Sequence, residues 1–208
     1  MVSVVSFSGG KDSTAMLHLL LGQGIKSDFV IMFETEWEFP QIWEHVRAVE
    51  EKTGLKVTRL RYYRRFDDLL EWYGWPGYRG GWCTGRKQDT CHKFIRAIGA
   101  TTEFLGFAAN EKKRAEGKGL QKKKWEVRFP LIEAGMSEED SLRFCLDLGY
   151  DFGGLYNIFN RVSCFCCPNA GKKRREVIRK EFPELWEEWL RKDALAKQRL
   201  IEKCRRTT

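Results

Sequence analysis

The chain has no apolar run that approaches the roughly twenty residues of a membrane-spanning helix, so no transmembrane segment is expected. Its first residues lack a charged n-region and a small-residue cleavage site, which argues against a secretory leader and for the cytoplasm. No low-complexity tract argues for disorder. There are only three histidines, and His18 and His45 sit within amphipathic helices, which argues against a Cys₂His₂ zinc site. The phosphate-loop pattern G-x-x-x-x-G-K-[ST] is also missing, so the ordinary P-loop is excluded.

What is present is globular in character. The 208 residues are 42% hydrophobic and 32% charged, enough for one domain with a proper core and a small appendage. Seven cysteines without a leader point to metal or catalysis rather than a disulfide framework. A formal net charge of +8 suits anionic ligands such as nucleotides, sulfate-like groups or nucleic acid.

The most informative stretch is at the start. A β-branched run, Val2 to Phe7, breaks into Ser8-Gly9-Gly10-Lys11-Asp12-Ser13-Thr14, and an apolar-periodic helix follows through Leu20. A strand that ends in glycines at a helix N-terminus is suited to phosphate: the backbone comes close, and free N–H groups face the anion. Lys11 adds a cation, and Ser13 and Thr14 add hydroxyls. Beyond it, residues 29–33 read as a buried strand, and a helix begins near Pro40 and stops at Gly54. Further strands are expected at 56–60, 103–107 and 125–131. Strands and helices alternating at this spacing make a parallel sheet with right-handed crossovers. Ligands on such sheets sit outside the carboxyl ends of the strands. The turn at 8–14 and the acidic loop at 34–38 both fall there.

Ser-Gly-Gly-Lys-Asp-Ser after an N-terminal strand resembles the pyrophosphate loop of the N-type ATP pyrophosphatase and PAPS reductase superfamily. Thr35, Glu38, Phe39 and Pro40 match the Thr-Gly-x-Glu-Phe-Pro segment of the PAPS reductase branch, with Glu36 in place of the glycine. Trp82-Cys83-Thr84 followed by Arg86 and Lys87 resembles a substrate-facing segment of that family, which carries a cluster cysteine in DndC-like members. Glu111 and Arg114 match a phosphate- or sulfate-binding segment whose first arginine is Ala108 here, a departure that tells against the extra phosphate or sulfate of PAPS. The run Leu155 to Pro168, with Ser163-Cys164-Phe165-Cys166-Cys167-Pro168, resembles a bacterial and phage PAPS-reductase-like family.

The resemblance implies an open, mostly parallel five-stranded α/β sheet with helices on both faces, the adenine nucleotide alpha-hydrolase-like fold. It divides the chain into a nucleotide-binding part, residues 1–155, and a cysteine-bearing helical segment, residues 156–208. The implied activity is ATP-dependent adenylation of a substrate with pyrophosphate release, followed by sulfur transfer. An APS or PAPS reductase and a non-catalytic nucleotide-binding component of a nucleic-acid modification or defence system are the alternatives. Ser8, Gly9, Gly10, Lys11, Asp12, Ser13, Thr14, Thr35, Glu38, Arg86, Lys87, Glu111 and Arg114 are expected to bind ATP, or APS or PAPS, with Mg²⁺. Lys11, Asp12 and Cys166 are the expected catalytic residues.

For the acidic loop two readings stand side by side, magnesium binding and a solvated helix start favoured by the dipole. The cysteines have three. Cys164 and Cys167 have the C-x-x-C spacing that lets two thiolates share one centre, and the missing ligands of an iron–sulfur cluster would be Cys83 and either Cys91 or Cys166. The same set could hold structural zinc (Zn²⁺), or the thiols could be free or a redox pair. Cys91 and Cys145 lie on apolar helical stripes and also read as small core residues. Cys204 has cations beside it but lacks the Glu-Cys-Gly-x-His motif of thiol-dependent reductases. The basic stretch 118–124 reads as a solvated loop or a nucleic-acid contact, and residues 183–204 as a helix or helix pair. The expected partners are an adenine nucleotide, a sulfur donor or thiol reductant, and DNA or tRNA. A homo-oligomer is expected, with no membrane association.

Overall fold

The computed structural model describes residues 1–77, 81–117, 120 and 123–207, with side chains of the last helix described through Gln198. Five short strands form the centre: β1 (Ser3–Ser6), β2 (Phe29–Phe33), β3 (Val57–Leu60), β4 (Thr102–Leu105) and β5 (Glu126–Arg128). They lie in the order β3-β2-β1-β4-β5 and every pairing is parallel. Val5 stands opposite both Val30 and Phe104. The strand order reverses at β1, because the chain moves outward through β2 and β3 and then returns to β1's other side. The carboxyl end of β1 is therefore the switch point where such sheets open a ligand crevice.

The helices are α1 (Lys11–Gly22), α2 (Pro40–Thr53), α3 (Phe66–Tyr73), α4 (Trp82–Ala97), α5 (Lys112–Ala115), α6 (Pro130–Glu133), α7 (Glu138–Asp147), α8 (Leu155–Ile158), α9 (Lys172–Glu181) and α10 (Pro183–Thr207). Alternation along β1 divides the layers. Val4 packs with Ile31 of β2 and Ile95 of α4 on one face. Val5 joins Met16, Leu17, Val46 and Leu70 on the other, in the larger core. Phe159, Phe165, Cys166, Ile178 and Trp189 belong to that same larger core, so the segment beyond residue 155 packs directly on the α/β layers.

Several boundaries differ from the sequence expectation. The last strand stops at Arg128, and Pro130 opens the helical turn α6 instead of extending the strand to residue 131. Proline has no N–H for the ladder but fits the first turn of a helix. The residues from Trp82 onward are already helical, so the Cys83 segment is the first turn of α4. The final segment is one helix of 25 residues, separated from α9 by Phe182, whose backbone leaves the helical region before Pro183. Of the basic stretch 118–124, residues 118, 119, 121 and 122 lie outside the described residues, as does the side chain of Cys204. Lys123 is not a solvated lysine: its ammonium is buried 2.5 Å from Glu103, a carboxylate that also accepts from Ser6 Oγ and Trp125 Nε1.

Candidate functional site

The turn at the end of β1 is built by its small residues. Gly9 has φ +72°, and a Cβ there would stand 2.8 Å from Ile42 Cγ2 on α2. Glycine is required on both counts. Gly10 is the N-cap of α1 and has no side chain with which to cap it. The hydroxyls hold the turn together. Ser13 Oγ accepts from the Ser8 N–H at 3.1 Å, and both Ser13 Oγ and Thr14 Oγ1 reach Gly10 O at 3.0 Å. Thr14 Oγ1 also meets His45 Nε2 of α2 at 2.8 Å. Ser13 and Thr14 are thus scaffold of the turn.

Lys11 is nearly enclosed, with its ammonium 2.8 Å from Asp12 Oδ1 and 3.3 Å from Glu138 Oε2 at the start of α7. Burial pushes the Asp12 carboxyl up from its ordinary value; Lys11 opposes the shift, and the charges of Glu138 and Glu111 add to it. Glu111 pairs with Arg114 and, at 3.7 Å, with Arg161. The expected residues Lys11, Asp12, Glu111 and Arg114 therefore gather at one end of the sheet. Ala108, where the family pattern has arginine, is fully buried.

The second expected cluster lies beyond β2. Thr35 N–H and Oγ1–H donate to Glu38 Oε1 at 3.0 and 2.5 Å, and Thr35 Oγ1 lies 3.4 Å from Cys164 Sγ. Phe165 N–H donates to Trp37 O at 2.9 Å, which fixes the cysteine segment against the acidic loop. Burial raises the Glu38 carboxyl, with Thr35 opposing. The Cys164 thiol is pushed up to about 12 by burial and the Glu38 charge, against the hydrogen bond with Thr35 and the field of Lys87. Lys87 thus acts on this cluster. Arg86 instead lies over the Tyr62 ring, 5.2 Å from its centroid, with Nε buried and unpartnered.

Glu36 adopts φ +67°, a left-handed conformation at the one position where the family segment has glycine. Its neighbours' carboxylates are engaged. Glu34 takes a two-pronged grip from Arg61 at 2.7 and 2.9 Å, Glu36 meets Arg65 at 3.4 Å, and Glu38 turns back on Thr35. Magnesium binding by this loop does not fit that arrangement, since three carboxylates occupied separately do not converge on one ion.

The four-cysteine centre does not fit either. Cys83 and Cys91 are eight residues apart in α4, which puts them about 12 Å apart along the helix axis. Two ligands of one zinc or one cluster must sit far closer. Cys91 packs instead beside Ile95 and Phe94, and burial pushes its thiol up to about 11. Cys164 and Cys167 do come together across a tight turn, with Cys167 N–H donating to Cys164 O at 3.3 Å. Among the described residues, no three His, Cys, Asp or Glu side chains are grouped to hold a metal ion. Cys166 is a further correction: it is fully buried in the core and burial drives its thiol well above the ordinary range, so it lacks the access and the thiolate of a nucleophile.

These two clusters at the carboxyl edge of a parallel sheet can be set against known proteins. A model of the phosphoadenosine phosphosulfate reductase domain matches residues 2–170. The chain belongs to the PAPS reductase family. It is 30% identical over 194 residues to the uncharacterized protein MJ0066 of Methanocaldococcus jannaschii, covering 89% of this chain and 40% of that protein. It is 25% identical over 193 residues to MJ0973 of the same organism, covering 89% and 46%. The chain thus spans less than half the length of these relatives. The PAPS reductase of Candida auris, solved as a phosphate complex, shares the fold with a TM-score of 0.53 at 10% identity, over 77% of this chain and 80% of that one. No helix among the described residues is long and apolar enough to cross a membrane.

Sequence reasoning missed Tyr156, Glu138, Arg161 and Arg174 as site residues. Tyr156 Oη accepts from Lys11 N–H at 2.8 Å. Arg174 lies over Phe159, 4.6 Å from the ring centroid, and donates to Arg161 O at 2.6 Å, close enough for the field of Cys167 and Cys164 to act on it. The Tyr-x-x-Phe-x-Arg run before the cysteines was the available signal for Tyr156 and Arg161.

Proposed function

We propose that this PAPS reductase-family protein binds ATP at the Ser8–Thr14 turn and activates an acceptor by adenylation for sulfur transfer. The observation that carries the reading is the position of that turn, at the strand-order reversal and at the N-terminus of α1. An acceptor oxygen attacks the α-phosphorus, the bond from that phosphorus to the bridging oxygen breaks, and pyrophosphate leaves with the electron pair. Lys11 is the cation placed to offset charge on the leaving group. Asp12, made a stronger base by burial, takes the acceptor's proton. The terminal sulfur of a persulfide donor then displaces AMP from the activated carbon, and a second thiolate attacks the donor's inner sulfur, so that the S–S bond breaks, the transferred sulfur stays on the carbon as a thiol and the donor leaves in a disulfide. The pair Cys164 and Cys167, set beside the acidic loop, is the sulfur-handling end of the site.

The buried Ala108 favours ATP over PAPS, because it removes the cation that the family places there. Reduction of APS or PAPS is the second reading, and the domain match itself favours it. The net charge of +8 makes a polyanionic acceptor such as DNA or tRNA the natural third component. The test is to incubate anaerobically purified protein with magnesium and labelled ATP, with and without DNA, tRNA and small acceptors, and to follow pyrophosphate and AMP. Release that vanishes in Lys11→Ala is the expected result. Sulfite formed from APS or PAPS, with no AMP from ATP in any arm, would replace adenylation by reduction.

A further inference from the structure

Helix α1 begins without a local cap, since Gly10 has no side chain to offer its orphan N–H groups. The cap comes from 145 residues away: the Tyr156 hydroxyl accepts from Lys11 N–H at 2.8 Å. The fit is close. A Cβ on Gly10 would stand 3.1 Å from Tyr156 Oη. The ring is held edge-on against Phe152 at 4.8 Å between centroids, and α8 is anchored by buried Leu155 and followed by buried Phe159. Burial first, and then the charge of Asp12, push the phenol upward from its ordinary value, so it stays protonated. Its lone pair serves Lys11, and among the described residues no acceptor takes its proton. A hydrogen-bond donor is thus left unspent at the mouth of the turn.

We infer that Tyr156 is a phosphate-positioning residue, accepting from the Lys11 N–H and donating its own O–H to the phosphate bound at the Ser8–Thr14 turn. This rests on the reading that the turn binds a nucleotide. It gives the seven residues between Tyr156 and Cys164 a purpose: one short segment brings a hydrogen-bond donor to the turn and thiols to the acidic loop. A bound phosphate then draws both ends of that segment into register.

The test compares binding of ATP and of adenosine to wild-type protein and Tyr156→Phe by calorimetry, with circular dichroism to check the fold. The expected result is at least tenfold weaker ATP binding with adenosine affinity kept within about twofold. A residue that served only as a helix cap would lower the melting temperature and leave the difference between the two ligands unchanged, which overturns the assignment. So would ATP binding that is unaffected or tighter. If Tyr156→Phe fails to fold, 3-fluorotyrosine placed at position 156 keeps the ring and alters only the acidity of the phenol. It is expected to shift ATP affinity severalfold and leave adenosine unmoved, and equal effects on both overturn the assignment. Wild-type protein that binds no adenine nucleotide removes the nucleotide reading and this assignment with it.

Discussion

At the scale of single residues, the two turns at the site handle positive φ differently. Gly9 meets the demand with the residue suited to it; Glu36 meets the same demand with a side chain that strains the backbone. Gly9→Ala is expected to destabilise by about 1–3 kcal/mol, from the left-handed conformation together with the overlap on Ile42. Glu36→Gly is expected to do the reverse and gain up to about 1 kcal/mol, because the pair it gives up with Arg65 is solvent-exposed and weak. Urea melts of the two variants check both signs, and a destabilised Glu36→Gly would show that the ion pair matters more than the strain. His45 supplies a pH-dependent term. Burial lowers it to about 4, with the charges of His18 and Lys52 adding and that of Asp151 opposing. The unfolded chain binds this proton below about pH 6.5 while the folded one refuses it down to about 4. Stability is therefore fully present above that window and falls as pH drops through it, by about 3 kcal/mol in all. His45→Gln, which cannot titrate, should flatten this part of a melting temperature against pH profile.

At the scale of elements, the last helix is tied to the α/β layers through polar groups as well as apolar ones. Lys192 of α10, almost enclosed, lies 2.7 Å from Asp67 Oδ1 of α3, and Trp37 Nε1 donates to the same oxygen at 2.8 Å. Burial alone would raise the Asp67 carboxyl, but the bonds from Lys192 and Trp37 outweigh it and hold it below its usual value. Asp67→Ala leaves a buried ammonium with only Glu188 and an indole N–H with no acceptor, at a cost of about 2 kcal/mol. Asp67→Ala combined with Lys192→Met should recover most of that loss, since no charge is then stranded. A double-mutant cycle in urea reads the coupling, and additivity of the two losses would show the pair to be idle. This contact was not legible in the sequence: Asp67 and Lys192 are 125 residues apart, and each looks like an ordinary surface charge on its own helix. The central strands and the turn at 8–14 were legible, because β-branched runs, glycines and helical periodicity are local signals. Gly54 and Pro40 marked the ends of α2 for the same reason. The cysteines misled, since spacing in sequence says nothing about whether Cys83 and Cys91 share one helix, and helical rise then separates them.

At the scale of the whole molecule, the Ser8–Thr14 turn joins pieces that fold from distant parts of the chain. Gly9 rests on α2, Lys11 reaches α7, Tyr156 arrives from α8, and Cys145 Sγ–H donates to Lys11 O at 3.3 Å. A ligand that binds there only when all of these are in place stabilises the entire fold by mass action. With free ATP at a hundred times its dissociation constant the gain is about 2.7 kcal/mol. For a domain of this size that is a rise of roughly 5–10 °C in melting temperature. Thermal melts with magnesium and increasing ATP should show that rise, growing with the logarithm of ATP concentration once the site is filled. Lys11→Ala should melt near the ligand-free wild type and respond weakly, because the ammonium it removes is the cation nearest the turn and the carboxylates of Asp12 and Glu138 would then repel the phosphates. A wild-type melting temperature indifferent to ATP, APS and PAPS alike would mean that the turn at the switch point is scaffold without a ligand. A response to APS or PAPS with none to ATP would move the chemistry of this fold to reduction.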